Sequence, residues 1–283
     1  MSQYSKVYQV LSLALQPLYD HAEAPAIARE TMQAATGISY LESKLGDPEL
    51  DEDTTAKLTA WTQELLTGKP LQYVLGEAWF MNRRYVVNGH VLIPRPETEE
   101  LVQWIIDEHT AVPDLSILDI GTGSGCIPIS LKLALPDATI TSCDISSDAL
   151  KVAEQNATAL AAAIQLIEAD FLNPECQRQL GHYDLIVSNP PYIPLAEKEL
   201  MHRNVADHEP GNALFVPNHD PQLFYRAIAL FGQIHLKDQG TIYCELHQDH
   251  ALDTQALFGQ SGYRNTAIRK DLNDNRRMLK AEK

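Results

Sequence analysis

Two periodicities divide the chain. Early on, apolar positions recur at helical spacing: Val7, Val10, Leu11, Ala14, Leu15 and Leu18 follow the i, i+3, i+4, i+7 pattern, and Leu58, Trp61 and Leu65 repeat it. Thr67-Gly68-Lys69-Pro70 stops the second stripe. The pattern predicts a small helical bundle whose stripes are core, with no obvious catalytic group. Residues 79–81 and 85–87 flank Asn82-Arg83-Arg84 and read as a hairpin. From Thr98 onward, short apolar runs alternate with helical patterns, which predicts a parallel sheet with crossover helices. Ser116–Ile120, 138–143, 164–167 and Tyr183–Ser188 read as strands, and 126–135 as a helix. Late strands near 241–246 and 263–268 are expected to supply an antiparallel edge. The expected division is a helical domain over 1–72, a hairpin linker over 73–97 and an α/β domain over 98–283.

Asn189-Pro190-Pro191-Tyr192 is the most informative local feature. It follows a buried-type strand, and two prolines both end that strand and stiffen the turn after it. Each proline contributes a carbonyl and no N–H. The side-chain oxygen of Asn189 and the carbonyl of Pro190 then form a rigid cup of acceptors, with Pro191 and Tyr192 beside it. Such a cup suits a planar group bearing an NH2, either an amide or an exocyclic amine. An ordinary loop is the plain alternative.

Upstream, Gly121-Thr122-Gly123-Ser124-Gly125 lies between a strand ending in Asp119-Ile120 and the helix over 126–135. Strand, glycine turn and helix N-terminus begin a nucleotide-binding α/β unit. The dinucleotide fingerprint wants glycine where Cys126 stands, and no Walker lysine follows. The loop therefore lacks the usual signs of a pyrophosphate cradle, yet it lets backbone approach a small zwitterion. Asp144 ends the next strand, 23 residues after Gly121, near the spacing at which an acid meets ribose hydroxyls. Asp170-Phe171 follows the third run and suits an adenine amino group and ring. Taken singly, each acid also reads as a helix cap or turn residue.

Composition narrows the class. The 283 residues are 45% hydrophobic, enough for a proper core, and no run is long enough to span a membrane. The N-terminus lacks the basic stretch of a signal peptide, so a cytoplasmic location is expected. Cys126, Cys143, Cys176 and Cys244 are widely separated and read as reduced thiols rather than a disulfide or zinc set. His247 and His250 are spaced like neighbours on a helix face, but no metal is expected. The net charge of −16 opposes non-specific binding to nucleic acid and suits a protein substrate with a basic loop.

The glycine loop, the ordered acids and Asn189–Tyr192 together resemble a class I S-adenosylmethionine-dependent methyltransferase. More closely, the chain resembles the HemK/PrmC family of protein-(glutamine-N5) methyltransferases, which modify peptide-chain release factors. The most specific segment is Ile93-Pro94-Arg95-Pro96-Glu97-Thr98-Glu99-Glu100-Leu101-Val102. Gln72-Tyr73, 76–80, 188–193, Glu209-Pro210 and Ala213-Leu214 also match. His247 and Asp274 depart from the family pattern, which commonly has glycine at both places.

The resemblance implies a Rossmann-like, mostly parallel sheet behind a helical bundle that docks the release factor. It implies S-adenosylmethionine held by Asp119, Gly121, Thr122, Gly123, Gly125, Asp144, Asp170, Phe171 and Asn189. It implies methyl transfer to the glutamine of a Gly-Gly-Gln motif at Asn189, Pro190, Pro191 and Tyr192, with Tyr192 stacked on the amide plane. A monomer that binds neither membrane nor nucleic acid directly is expected. The rival enzyme is a nucleic-acid adenine-N6 methyltransferase using the same cup on a flipped base. A rival of another class is a non-catalytic S-adenosylmethionine sensor, which would not need the cup.

Overall fold

The helical periodicity becomes α1 (Tyr4–Leu15), α2 (Glu23–Thr36), α3 (Tyr40–Gly46), α4 (Glu52–Leu66) and α5 (Leu71–Leu75) in the computed structural model, which describes Ser2–Lys283. The α1 stripe differs from its expected form. Tyr4, Leu11 and Leu15 are buried, whereas Val10 is 62% and Leu18 41% exposed. Val10 sits about 100° round the helix from Leu11, on the side away from Leu15. Leu18 falls beyond the end of the helix. Leu58 and Leu65 are core as expected, with Trp61 partly buried against them. Ala24 and Ala28 are fully buried on α2, and their small side chains let helices approach closely. Gly37, at φ 71°, ends α2, and Asp51 caps α4 by accepting from the Thr54 amide at 2.7 Å.

This helical unit takes in the chain up to Glu77 together with His202–His208. The later segment carries a short helix, Arg203–His208. Its Asn204 Nδ2 donates to the Tyr19 hydroxyl at 2.9 Å, and the His202 ring stacks on Tyr19. No local signal in the sequence marks that segment as part of the bundle.

The other unit, Ala78–Met201 with Glu209–Lys283, holds the sheet. A hairpin leads into it, β1 (Glu77–Phe80) and β2 (Arg83–Val86). The turn is tighter than expected. Met81 and Asn82 both have positive φ, 49° and 58°, as a two-residue type I′ turn requires, so Arg83 and Arg84 belong to the strand.

The main elements that follow are α6 (Pro96–His109), β3 (Ser116–Ile120), α7 (Cys126–Ala134), β4 (Thr139–Asp144), α8 (Ser147–Ala159), β5 (Gln165–Glu168) and β6 (Tyr183–Ser188). After them come α9 (Leu223–His235), β7 (Leu236–Glu245), α10 (Ala251–Gln260), β8 (Arg264–Lys270) and β9 (Arg276–Glu282). The seven strands lie in the order β8-β9-β7-β6-β3-β4-β5. Alternate residues feed two cores. Leu118, Ile186 and Ile242 pack with Phe231 and Phe258 on one face; Ile117, Leu185, Val187 and Tyr243 pack with Leu101 and Ile129 on the other.

One expectation is corrected here. The strand containing 241–246 runs parallel to β6, and the single reversed strand is β9, inserted between β7 and β8. Its residues, Arg-Arg-Met-Leu-Lys-Ala-Glu, hide a strand among charges, although Met278, Leu279 and Ala281 are fully buried. Asp274, in the turn before it, has φ 67°, a conformation that glycine adopts at no steric cost; Lys270 ion-pairs with its carboxylate at 2.7 Å. Cys126, Cys143 and Cys244 are buried free thiols, and Cys176 is partly buried. No described helix is long and apolar enough to cross a membrane.

The chain crosses from β5 back to β6 on the far side of β3, so the sheet's switch point lies between β3 and β6, where ligands bind in open α/β sheets. A buried side chain missed in the sequence fixes its surroundings. Asn156 of α8 accepts from the Val86 amide at 2.7 Å and donates to the carbonyls of Val86 at 3.0 Å and Ser124 at 2.9 Å. It joins hairpin, glycine loop and helix. Asn156→Ala is expected to destabilise this unit by about 1–3 kcal/mol for each buried group left unpaired, read as a lower urea midpoint. An unchanged midpoint would refute the tie.

Candidate active site

The first wall of the site is the turn after β3. Gly121, Gly123 and Gly125 all have positive φ, 81°, 51° and 80°. Gly125 has a packing reason as well: a Cβ there would lie 2.9 Å from Ile129 Cδ1 and 3.2 Å from Ala153 Cβ, where α7 and α8 approach. Around Gly123 a Cβ would enter open space. The turn is stitched to β4, since the Gly121 and Thr122 amides both donate to the Cys143 carbonyl.

Two carboxylates hold the turn from below and from the side. Asp144, ending β4, accepts from the Gly123 amide with Oδ2 and from the Ser146 amide with Oδ1, each at 2.9 Å. Each oxygen keeps further lone-pair capacity toward the cleft. Asp119 is fully buried under the loop. Its Oδ2 accepts from the hydroxyls of Thr122 and Ser142, and its Oδ1 has no partner. Burial pushes this carboxyl up from 3.8 to about 6, against the pull of the Ser142 and Thr122 hydroxyls.

The opposite wall is the turn after β6. Ser188 Oγ donates to the Ile120 carbonyl at 2.7 Å, locking the ends of β6 and β3 together. Asn189 follows, and a Cβ on Gly121 would lie 4.0 Å from its backbone oxygen. The Asn189 Nδ2 donates to Thr98 Oγ1 at 3.2 Å. One cleft is lined by Gly121, Thr122, Gly123, Asp144, Asp170 and Phe171 on one side and by Asn189, Pro190 and Pro191 on the other. Phe171 is mostly core, edge-on to Phe231 at 5.2 Å. Asp170 Oδ1 also caps its own turn by accepting from the Leu172 amide.

Three candidates stand outside this lining. Asp119 lies beneath the loop, and Gly125 ends it, turned toward Ile129 and Ala153. Tyr192 is partly buried against the core, its ring edge-on to His247 and its hydroxyl donating to Glu245 Oε1 at 3.0 Å. Burial, followed by the nearby Glu245 charge, raises its phenol above the usual range. His247 thus packs beside Tyr192 and also pairs with Glu197 at 3.2 Å. Among the described residues, no cluster of three or more His, Cys, Asp or Glu could hold a metal ion.

The structure also joins two sequence motifs. Glu209, buried at 6% exposure, accepts from Arg95 Nη2 at 2.5 Å and from the Ile93 amide at 3.1 Å. The Ile-Pro-Arg segment and the Glu209-Pro210 pair are therefore one clamp. Ile145, Ala213 and Phe224 line the cleft as well. Phe224 carries no sequence signal, because it opens a helix far along the chain.

The raised Asp119 carboxyl has a thermodynamic consequence. The native state binds a proton more tightly than the unfolded chain, so between about pH 4 and 6 stability falls as pH rises. A shift from 3.8 to about 6 is worth on the order of 3 kcal/mol. Wild type is expected to lose that much relative to Asp119→Asn between pH 4 and pH 7 in urea unfolding. An equal pH response in the two proteins would contradict the buried, protonatable Asp119.

The Methyltransferase small domain family matches residues 98–209. A release factor glutamine methyltransferase of Flavobacterium psychrophilum is 40% identical over 273 residues, 94% of each chain. One from Bacteroides thetaiotaomicron is 38% identical over 281 residues, 99% of this chain and 100% of the relative. A solved methyltransferase from Pyrococcus furiosus has a TM-score of 0.51 at 14% identity, covering 82% of this chain and 98% of that one, a likeness of fold. With identity of this level running almost end to end, through both walls of the cleft, the chain belongs to the release factor glutamine methyltransferase family.

Proposed function

We propose that the chain methylates the side-chain amide nitrogen of the glutamine in the Gly-Gly-Gln motif of peptide-chain release factors, with Asn189 and Pro190 holding the acceptor amide. The observation that carries the residue assignment is the orientation of Asn189: its NH2 end is tied to Thr98, which leaves Oδ1 as an acceptor at the mouth of the glycine-loop cleft. The relatives favour glutamine over adenine as acceptor.

The cleft fits S-adenosylmethionine, the family's methyl donor. Open space at Gly123 admits a ligand against the backbone, and the Asp144 oxygens retain acceptor capacity for ribose hydroxyls. Asp170 and Phe171 suit the adenine end. When bound, the cofactor supplies an electrophilic methyl group on a sulfonium.

An amide nitrogen is a poor nucleophile because its lone pair is delocalised. Asn189 Oδ1 and the Pro190 carbonyl accept its two hydrogens, fix its direction and favour pyramidalisation. Their dipoles point at the nitrogen where positive charge grows, so they stabilise the transition state more than the ground state. The tethered Tyr192 stiffens the turn that carries both acceptors. No strong base is required, since the alkylated amide is acidic enough to lose its proton afterwards.

The helical unit is the docking surface for the folded factor, which the lack of a catalytic cluster among its described residues supports. The net charge of −16 suits a basic protein partner rather than nucleic acid. The enzyme acts as a cytoplasmic monomer, where translation termination takes place.

Asn189→Ala is expected to cut kcat by at least about a hundredfold, because the nitrogen drifts off the transfer axis, while cofactor affinity from calorimetry stays close to wild type. Asn189→Asp, which keeps an acceptor, retains partial turnover. Near-normal turnover by Asn189→Ala would reduce the Asn-Pro-Pro-Tyr turn to scaffolding. For docking, release factor added with S-adenosylhomocysteine is expected to slow amide hydrogen exchange in the helical unit. Unchanged exchange throughout residues 2–77 would overturn that role.

A further inference from the structure

Asn189 can serve as an acceptor only if its amide faces the right way, and a symmetric-looking amide does not choose its own direction. The choice is made by Thr98, in the cleft lining, and by Glu245 behind it. Glu245, at the end of β7, is 2% exposed. Its Oε2 accepts the Thr98 hydroxyl proton at 2.5 Å and its Oε1 the Tyr192 hydroxyl proton at 3.0 Å. The Tyr225 hydroxyl anchors the backbone carbonyl of the same residue at 2.9 Å.

With its only proton committed to Glu245, the Thr98 oxygen can act toward Asn189 only as an acceptor. The NH2 end of Asn189 must therefore face Thr98, at the observed 3.2 Å. The reversed amide would set two oxygens against each other. Burial raises the Glu245 carboxyl, and the Thr98 and Tyr192 hydroxyls and the Arg277 charge work against that rise.

We propose that Glu245 and Thr98 form a positioning relay that sets which end of the Asn189 amide faces the substrate, while the same carboxylate anchors the far end of the turn through Tyr192. This gives Thr98 of the Pro-Arg-Pro-Glu-Thr-Glu segment a specific task. Both residues act through Asn189 in this relay. The inference rests on Asn189 being the acceptor of the substrate amide.

Three variants test it. Thr98→Val keeps the shape and deletes the oxygen; Thr98→Ser keeps the oxygen. Glu245→Gln is nearly isosteric but can donate to Thr98, freeing its hydroxyl to donate to Asn189 and inverting the relay. Thr98→Val and Glu245→Gln are each expected to lower kcat by about tenfold or more, with little change in KM for release factor or in cofactor affinity. Thr98→Ser stays near wild type. Because the two residues act in one relay, the double variant Thr98→Val/Glu245→Gln loses about as much as one alone rather than the product.

Thr98→Val turnover within about twofold of wild type would overturn the relay, as would an equal loss in Thr98→Ser, or a double variant whose losses multiply. If Glu245→Gln fails to fold, the Thr98→Val and Thr98→Ser pair decides. An inactive Asn189→Ala with a normal Thr98→Val removes the relay alone. A normal Asn189→Ala removes the underlying assignment.

Discussion

Carboxylates in and around the cleft hold this unit's working edge together. A parallel sheet ends in loops whose amides and hydroxyls have lost their ladder partners, and those groups need acceptors where water is scarce. Asp119 gathers Thr122 and Ser142. Asp144 gathers two backbone amides, Glu245 gathers Thr98 and Tyr192, and Glu209 gathers Ile93 and Arg95. Each carboxylate joins segments far apart in the chain. The turns they hold place Gly121 and Gly123 on one wall of the cleft and Asn189, Pro190 and Pro191 on the other.

These four acids divide by exposure into two kinds of work. Asp144 reaches the cleft and keeps lone pairs to offer a ligand. Asp119, Glu209 and Glu245 are buried and act through what they hold still. Full burial makes Asp119 costly to ionise, and its unpaired Oδ1 adds to that cost. Arg95 offsets the burial of Glu209 with a charge of opposite sign, whereas Glu245 relies first on hydroxyl donors.

Most of the cleft was legible in the sequence because strand, turn and acid recur there in a fixed order. Gly121 to Ser124, Asp144, Asp170 and Asn189 to Pro191 all follow apolar runs that end abruptly, and the structure brings them together around one cleft. What escaped depends on partners remote in sequence. Asn156 looks like any helix polar residue until Val86 and Ser124 close on it. Thr98 was visible as part of a motif, but its task needs Glu245, 147 residues away. Strand β9 was hidden because its charged residues mask the buried Met278, Leu279 and Ala281. Val10 was misread as core because a helical stripe shows periodicity without showing which flank meets the neighbour.

The excursion of His202–His208 into the helical bundle bears on how this protein can be inherited. The bundle is discontinuous along the chain, completed by seven residues that follow the Asn-Pro-Pro-Tyr turn. A single recombination crossover near Glu77 would deliver a bundle in which Tyr19 has lost Asn204 and His202. Exchange of the bundle between homologues thus needs three coordinated crossovers, after Glu77, before His202 and after His208. That favours transmission of bundle and catalytic unit as one gene rather than as interchangeable modules.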